Sequence, residues 1–307
     1  YIHANQFDYQ SCLCYLQVNF MEQIKLFTEI TRLKKPIGYM LLFWPCSWGL
    51  TLAYDFSGEK FTYIFYLFLF LSGSILMRSA GCIINDIVDR KFDRKVARTK
   101  NRPIASGKIS VIVGIFYSII LCLIAFFVLI QFNYLTIILA IGSMPLAFIY
   151  PYMKRYTYWP QLFLGVTFNY GLILGWSSVE NNINIIAILF YFGAIFWTLG
   201  FDTIYGFQDL KDDEIIGLKS ASIKFKSKPH LFLELCYITF FISLFLVGWL
   251  MQLNKFYYLG LMIVGLHMFF IQIKKLNIND PKNCLKVFKS NNLLGLIIFT
   301  SLIMGKV

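Results

Sequence analysis

Two short stretches of the sequence could do chemistry. In IINDIVDRKFDRK (83–95), Asp86, Asp89 and Asp93 follow directly on an apolar run, and in FDTIYGFQDLKDDE (201–214), Asp202, Asp209, Asp212, Asp213 and Glu214 do the same. A carboxylate at the end of an apolar run is costly unless it is solvated, paired or bound to a metal, so both stretches are functional-site candidates. Spacing sharpens the reading. Asn85, Asp89 and Asp93 recur every four residues and share one helix face, as do Asp209 and Asp213, with Asp202 two turns earlier near the same stripe. Each helix then offers a column of oxygens. Two facing columns suit Mg²⁺, which takes few carboxylates and completes its octahedron with water and substrate phosphate.

Cations crowd the same places. Arg90, Lys91, Arg94, Lys95, Arg98, Lys100 and Arg102 follow the first acidic stretch, Lys211 and Lys219 flank the second, and Lys154 and Arg155 follow another apolar run. A metal ringed by Arg and Lys is how proteins hold a diphosphate and stabilise it as it departs. The plainer alternative is a pair of solvated loop ends, which does not account for two like-spaced acidic helix ends on one side. Seven cysteines without a CxxC pair and three scattered histidines offer no soft-ligand site, so any metal must be held by oxygen.

The elements that position these residues are membrane spans. Of 307 residues, 58% are hydrophobic, only 14% are charged and 32 are Phe, enough for about nine crossings at about 20 residues each. The pattern predicts spans near 37–54, 61–84, 110–130, 134–152, 158–178, 183–205, 231–252, 256–273 and 291–305. A formal charge of +12 would suggest nucleic acid on a soluble protein, but 24 of the 28 Lys and Arg residues fall in alternate loops, as topology in a membrane requires. The charge pattern thereby argues against nucleic acid as a partner, the bilayer is the environment, and both acidic stretches open on the positive side. The fold class is an all-α polytopic bundle.

Ahead of the spans, 22–35 reads as an amphipathic helix on the membrane surface, with Ile24, Phe27, Ile30 and Leu33 near helical spacing. Residues 1–21 carry no assignment: they show no signal-peptide pattern, and a Tyr at position 1 suggests a processed or truncated start. Residues 36–305 form the transmembrane domain.

Several segments together resemble one family. NDIVDRKFDRKVARTKNRPIASGKIS (85–110) resembles the NDxxDxxxD motif of the UbiA superfamily of intramembrane prenyltransferases, and DTIYGFQDLKDDEIIGLKS (202–220) resembles its second, DxxYxxxDxxxD, motif. The likeness runs from about Arg32 to the last span, through RLKKPIGYMLLFWPCSWGL (32–50), RSAGCIIND (78–86) and YPYMKRYTYWPQLFLGVTFNYGLILGW (150–176). The first motif is shared with haem O, chlorophyll and menaquinone enzymes. The YxxQDxxDD form of the second, with KRxTYWPQ, resembles the branch that prenylates 4-hydroxybenzoate.

The resemblance implies a UbiA-type fold and Mg²⁺-dependent transfer of a polyprenyl chain from polyprenyl diphosphate to the ring carbon ortho to the hydroxyl of 4-hydroxybenzoate, a step towards ubiquinone. It implies that Asn85 and Asp89 hold one Mg²⁺ and Asp209 and Asp213 a second, with Asp86 and Asp93 in support. Arg98, Arg102, Lys154 and Lys211 would take the phosphate charge. Arg78, two turns deeper than Asn85, either binds phosphate or neutralises the acids. Asp202 is the candidate for orienting or deprotonating the phenol, with Tyr205 beside it. Arg32, Lys35 and Arg155 are candidates for the acceptor's carboxylate, although a juxtamembrane Arg or Lys also serves as an interfacial anchor. The loops 90–109 and 206–230 are the candidate lids. A ubiquinone-pathway enzyme belongs in the mitochondrial inner membrane, or the inner membrane of a bacterium. Two other readings stay open: the same donor with haem or a naphthoate as acceptor, and a carboxylate-based transporter. Against the transporter, the acids lie at one face rather than near the midplane.

Overall fold

The computed structural model describes residues 21–96 and 98–307, and among these it contains helices and loops but no strand. Helix α1 covers 21–30, and nine longer helices follow. They are α2 (Ile37–Ala53), α3 (Lys60–Val88), α4 (Val111–Leu129), α5 (Tyr134–Ile149), α6 (Pro160–Glu180), α7 (Ile185–Gly206), α8 (Pro229–Leu250), α9 (Lys255–His267) and α10 (Pro281–Lys306). Eight of the nine, with their short continuations, are long and apolar enough to cross a membrane. The exception, α2, has 17 residues and is ~25 Å long, a little under the ~30 Å hydrocarbon core. It sits inside the bundle, with every residue from Phe43 to Ala53 buried, so other helices rather than lipid surround it.

Polar residues punctuate the spans as their chemistry requires. Ser110, Asn133, Asn184 and Asn254 each accept a bond from a backbone N–H in the first turn of the helix that follows, and Asp280 does the same for α10. Close packing relies on small residues. A Cβ on Gly175 of α6 would stand 2.2 Å from the Cys46 carbonyl oxygen of α2, and one on Gly49 would stand 2.0 Å from the Leu172 oxygen, so these two helices meet backbone to backbone. Helix α2 also packs on α3 and α10, α6 on α7, α7 on α8, and α9 on α10. Aromatic rings fill the centre: Trp48 stacks on Phe190 at 5.5 Å, and Trp197 on Phe240 at 5.9 Å.

One set of polar groups buried in that core is paired across helices. Trp197 Nε1 donates to Asn291 Oδ1 (2.9 Å), Asn291 Nδ2 to Gln272 Oε1 (3.2 Å) and the Tyr237 hydroxyl to the same oxygen (3.1 Å). Gln272 lies in a π-helical stretch, Met268–Lys274, that continues α9.

Two boundaries differ clearly from the sequence reading. Helix α10 begins at Pro281, ten residues earlier than the apolar pattern indicates, because its first turns are amphipathic: Cys284, Val287, Phe288 and Asn291 are buried while Lys282, Lys286 and Lys289 are exposed. Helix α1 ends at Ile30 rather than 35, and a turn over 31–34 follows. It does more than rest on the surface, since Ile30 is fully buried in a small core with Ala80, Ile83, Ile104 and Ile109 and with Phe27 against it. Most of 1–21 lies outside the described residues.

Candidate functional site

Helix α3 carries Asn85 and Asp86 in its last turn and stops at Asp89, whose backbone sits at φ −88°, ψ 0°. A one-turn helix, Arg90–Asp93, carries Asp93. Helix α7 carries Asp202 and Tyr205 in its last turns, runs through a 3₁₀ turn (Phe207–Asp209) and gives way to a short helix, Leu210–Ile216, that bears Asp213. Both chain segments end at one cavity of about 1320 Å³, and Asn85, Asp86, Asp89, Asp93, Asp202, Tyr205, Asp209 and Asp213 all line it.

The cations divide. Arg32, Lys35, Arg78, Arg98, Arg102 and Lys154 line the same cavity, whereas Lys211 and Arg155 do not. Lys211 is exposed on the outer side of its helix. Arg155 turns away, donates from Nη2 to the Val88 carbonyl (2.8 Å) and lies over the rings of Phe92 and Tyr152, both at 5.2 Å, so it braces the end of α3.

Ion pairs organise the acids. Asp86 Oδ1 accepts from Arg32 Nη2 (2.5 Å) and Arg102 Nη1 (3.0 Å), and Arg102 also donates to Asp93 Oδ2 (2.9 Å). Arg32 reaches Asp86 from a left-handed backbone position, φ +56°, which a non-glycine residue adopts at a cost of about 1–3 kcal/mol and which the surrounding contacts must hold. Lys154 donates to Asp89 Oδ2. Arg98 grips Asp209 with both arms of its fork, Nε to Oδ1 at 2.7 Å and Nη2 to Oδ2, and Nη1 donates to the Tyr205 hydroxyl at 3.3 Å. A residue from the loop after α3 is thus clamped to the end of α7, across the cavity. Burial holds the Asp89 carboxyl above the ordinary carboxylate range, with the Lys154 ammonium pulling the other way.

Among the described residues, no three His, Cys, Asp or Glu side chains converge closely enough to hold a metal by themselves. The donors nevertheless fit a divalent ion that shares its shell with phosphate. Asp89 Oδ1 is buried with no hydrogen-bond partner. Asn85 and Asp213 face the same cavity, and among the described residues the Asp213 carboxylate is engaged in no ion pair. One or two carboxylates per ion, completed by water and substrate phosphate, is the protein share that Mg²⁺ takes in phosphate sites.

The rest of the cavity is apolar. Along α3 its wall runs from Asn85 back to Leu69, a depth of ~24 Å. Phe70 and Phe132, with ring centroids 4.6 Å apart, line its far end. Helices α4 and α5 make little contact with each other, α4 lying on α3 and α5 on α6. Cys122, Ala125 and Phe126 of α4 and Ala140, Ile141 and Met144 of α5 line the cavity on either side of that gap. Phe126 and Ile141 are also exposed at the surface, so the gap is a side opening at membrane depth.

Several cavity residues escaped the sequence reading. Tyr150 stands in the YPY segment without a charge to draw attention to it. Phe168 lies under the Arg78 guanidinium at 5.4 Å, and Gly38 leaves room for that group, since a Cβ there would stand 2.9 Å from Arg78 Nε. Lys289 and Asn292 line the cavity from the amphipathic start of α10, which a search for apolar runs passes over.

A fold of this kind, with paired acidic motifs at one end of a greasy cavity, defines a membrane enzyme class. The family model described as the UbiA prenyltransferase family matches residues 42–299, and the chain belongs to that family. It is 43% identical over 280 residues to "4-hydroxybenzoate polyprenyltransferase, mitochondrial" of Bos taurus, covering 91% of this chain and 75% of the relative. It is 37% identical over 284 residues to "4-hydroxybenzoate octaprenyltransferase" of Psychromonas ingrahamii, covering 92% and 97%. Among solved structures it matches a UbiA homolog from Aeropyrum pernix K1 with a TM-score of 0.71 at 20% identity, over 88% of this chain and 99% of that one. It also matches a UbiA homolog from Archaeoglobus fulgidus bound to GPP and Mg²⁺, with a TM-score of 0.67 at 18% identity, over 91% and 99%. At those identities the structural matches speak for the fold.

Proposed function

We propose that the chain transfers a polyprenyl group from a polyprenyl diphosphate to 4-hydroxybenzoate, with Mg²⁺ at the two acidic motifs. The observation that carries this reading is the juxtaposition of Asn85 and Asp89 with Asp209 and Asp213 across one cavity that has a cation-rich mouth and an apolar body. The names of the relatives support the acceptor, and the Archaeoglobus homolog bound to GPP and Mg²⁺ supports the donor and the metal.

Asn85, Asp89, Asp209 and Asp213 would hold the metal, which when bound neutralises the diphosphate and eases its departure. Lys154, on the one-turn helix Met153–Tyr156, and Arg98, on the loop after α3, are the cations to take phosphate oxygens, and Arg102 adds charge behind them. The tail lies along α3 and leaves for the bilayer between α4 and α5. Breaking the allylic C–O bond sends the electron pair out with pyrophosphate. The acceptor's ring carbon ortho to the hydroxyl then forms the new C–C bond and loses its proton.

Asp202 and Tyr205 stand at the boundary between the polar mouth and the apolar body, where the acceptor ring must sit. Asp202 is the group to orient the phenol or take its proton. Lys35 lines the mouth and is exposed, and Arg32 is held by Asp86, so of the two Lys35 has the freer charge for the acceptor's carboxylate. Tyr150, Phe168 and Phe288 place aromatic faces on the cavity that can stabilise an allylic cation and keep water from it. The mitochondrial names of the animal relatives place the reading in the mitochondrial inner membrane, or in the bacterial inner membrane by the name of the bacterial one.

Acceptor competition tests the reading. Purified protein in lipid is given a polyprenyl diphosphate, Mg²⁺ and equal amounts of 4-hydroxybenzoate, a hydroxynaphthoate and haem; prenylated 4-hydroxybenzoate is the expected product, and prenylation of either other acceptor in its place contradicts the assignment.

A further inference from the structure

The acids at the cavity mouth fall into two groups. Asp86 is held by two guanidiniums, and one of these, Arg102, also holds Asp93. The Asp86 side chain is 2% exposed, and those of Arg32 and Arg102 are 24% and 20% exposed. With two cations on one buried oxygen, and Arg32 delivered from a strained backbone position, this network is fixed framework. Asp89 and Asp209 differ. Each meets a single cation, Lys154 or Arg98. Lys154 stands on the one-turn helix Met153–Tyr156 that ends its span, Arg98 stands on the loop after α3, and the Arg98 side chain is 42% exposed. Asp89 engages Lys154 through Oδ2 only, and its Oδ1 stays buried and unpartnered. That oxygen is desolvated without compensation, an expensive state unless a second positive charge completes it.

We infer that Lys154 and Arg98 exchange partners during binding: each holds a metal-binding carboxylate until a diphosphate draws it away, so metal and diphosphate bind with strong mutual coupling and metal alone binds weakly. The inference rests on the metal and diphosphate reading above and adds the order of events. A divalent ion approaching Asp89 or Asp209 meets an ammonium or guanidinium already in contact with the carboxylate, and like charges at that range repel strongly where water is scarce. Diphosphate supplies oxygens for both, so the cation moves from carboxylate to phosphate and the metal takes its place. Linkage makes the effect reciprocal: metal-free diphosphate is disfavoured to the same degree, because Lys154 and Arg98 are otherwise engaged. The arrangement keeps either ligand from occupying the site without the other.

Mn²⁺ alone is the probe, titrated into the full chain in nanodiscs and read by electron paramagnetic resonance as free against bound ion. K154Q and R98Q, on separate segments, should each bind Mn²⁺ at least about five-fold more tightly than wild type. K154R, which keeps the cation, should bind as weakly as wild type. K35Q removes a charge from the same mouth without breaking an ion pair, and should change affinity by less than about two-fold, since Lys35 is exposed and screened. Thermal unfolding of each variant verifies that it is folded. Unchanged or weaker Mn²⁺ binding in both K154Q and R98Q overturns the inference, as does an equal gain in K35Q. In a separate arm, labelled inorganic pyrophosphate should bind wild type by equilibrium dialysis when Mn²⁺ is present; no binding there overturns the metal and diphosphate reading itself.

Discussion

Asp86 and Asp89 stand three residues apart, and the cavity uses them differently. The Asp86 carboxylate is buried between Arg32 and Arg102. Replacing it with Asn leaves Arg32 without its anion and Arg102 with Asp93 alone. Because both arginines keep partial contact with water, the cost falls below that of a fully buried pair, at about 2–3 kcal/mol. Asp86→Asn is therefore expected to lower the thermal midpoint by several degrees in a detergent or nanodisc melt, with any loss of transfer following from that. Asp89→Asn is expected to leave the midpoint near wild type, since its carboxylate is already half unsatisfied, and to lose transfer. The contrast is the test: equal melting points for the two variants would refute this division of roles. At this scale the sequence was informative about which acids gather, because helical spacing is a local property. It could not show that Arg155 braces Val88 while its neighbour Lys154 reaches Asp89, since that depends on how α3 and the Met153–Tyr156 turn face each other.

Among the elements, α2 and α6 carry the strictest geometry. Their backbones touch where a Cβ on Gly175 would stand 2.2 Å from Cys46 O and 2.6 Å from Leu50 N, both backbone atoms that cannot swing aside. Gly175→Ala is expected to force the pair apart and cost about 1–3 kcal/mol, seen as a lower midpoint and, because α2 and α6 both line the cavity, as weaker diphosphate binding. An unchanged midpoint would contradict the close approach. Most helices were legible from apolar length alone. The exception, α10, shows the limit: in PKNCLKVFKSNN (281–292) the apolar residues hold one face only, so the segment reads as loop until a neighbour is there to bury Cys284, Val287 and Phe288. The cavity residues Lys289 and Asn292 were lost with it. The π-helical turn at Met268–Lys274 likewise has no sequence mark, since its buried Gln272 is explained only by partners on α8 and α10.

For the whole molecule, the consequence is a cavity with a charged mouth at one membrane face and a side opening at membrane depth. The straight run along α3, ~24 Å, accommodates only the first few isoprene units. A longer chain must turn out between α4 and α5. Filling that gap with Ala125→Trp or Ala140→Trp should reduce transfer from a long-chain donor by at least about ten-fold while sparing geranyl diphosphate, a difference of about 1.4 kcal/mol or more. Equal losses for both donors would place the tail elsewhere. The central claim, that the two acidic motifs form one metal-dependent prenyl transfer site, is tested most directly by transfer of a polyprenyl group to labelled 4-hydroxybenzoate in membranes containing the chain, with Mg²⁺ present or chelated, for wild type and Asp89→Asn. Labelled lipid that forms in wild type, vanishes on chelation and falls by at least about 100-fold in folded Asp89→Asn is the predicted result; full transfer by Asp89→Asn, or by wild type without a divalent metal, would contradict it.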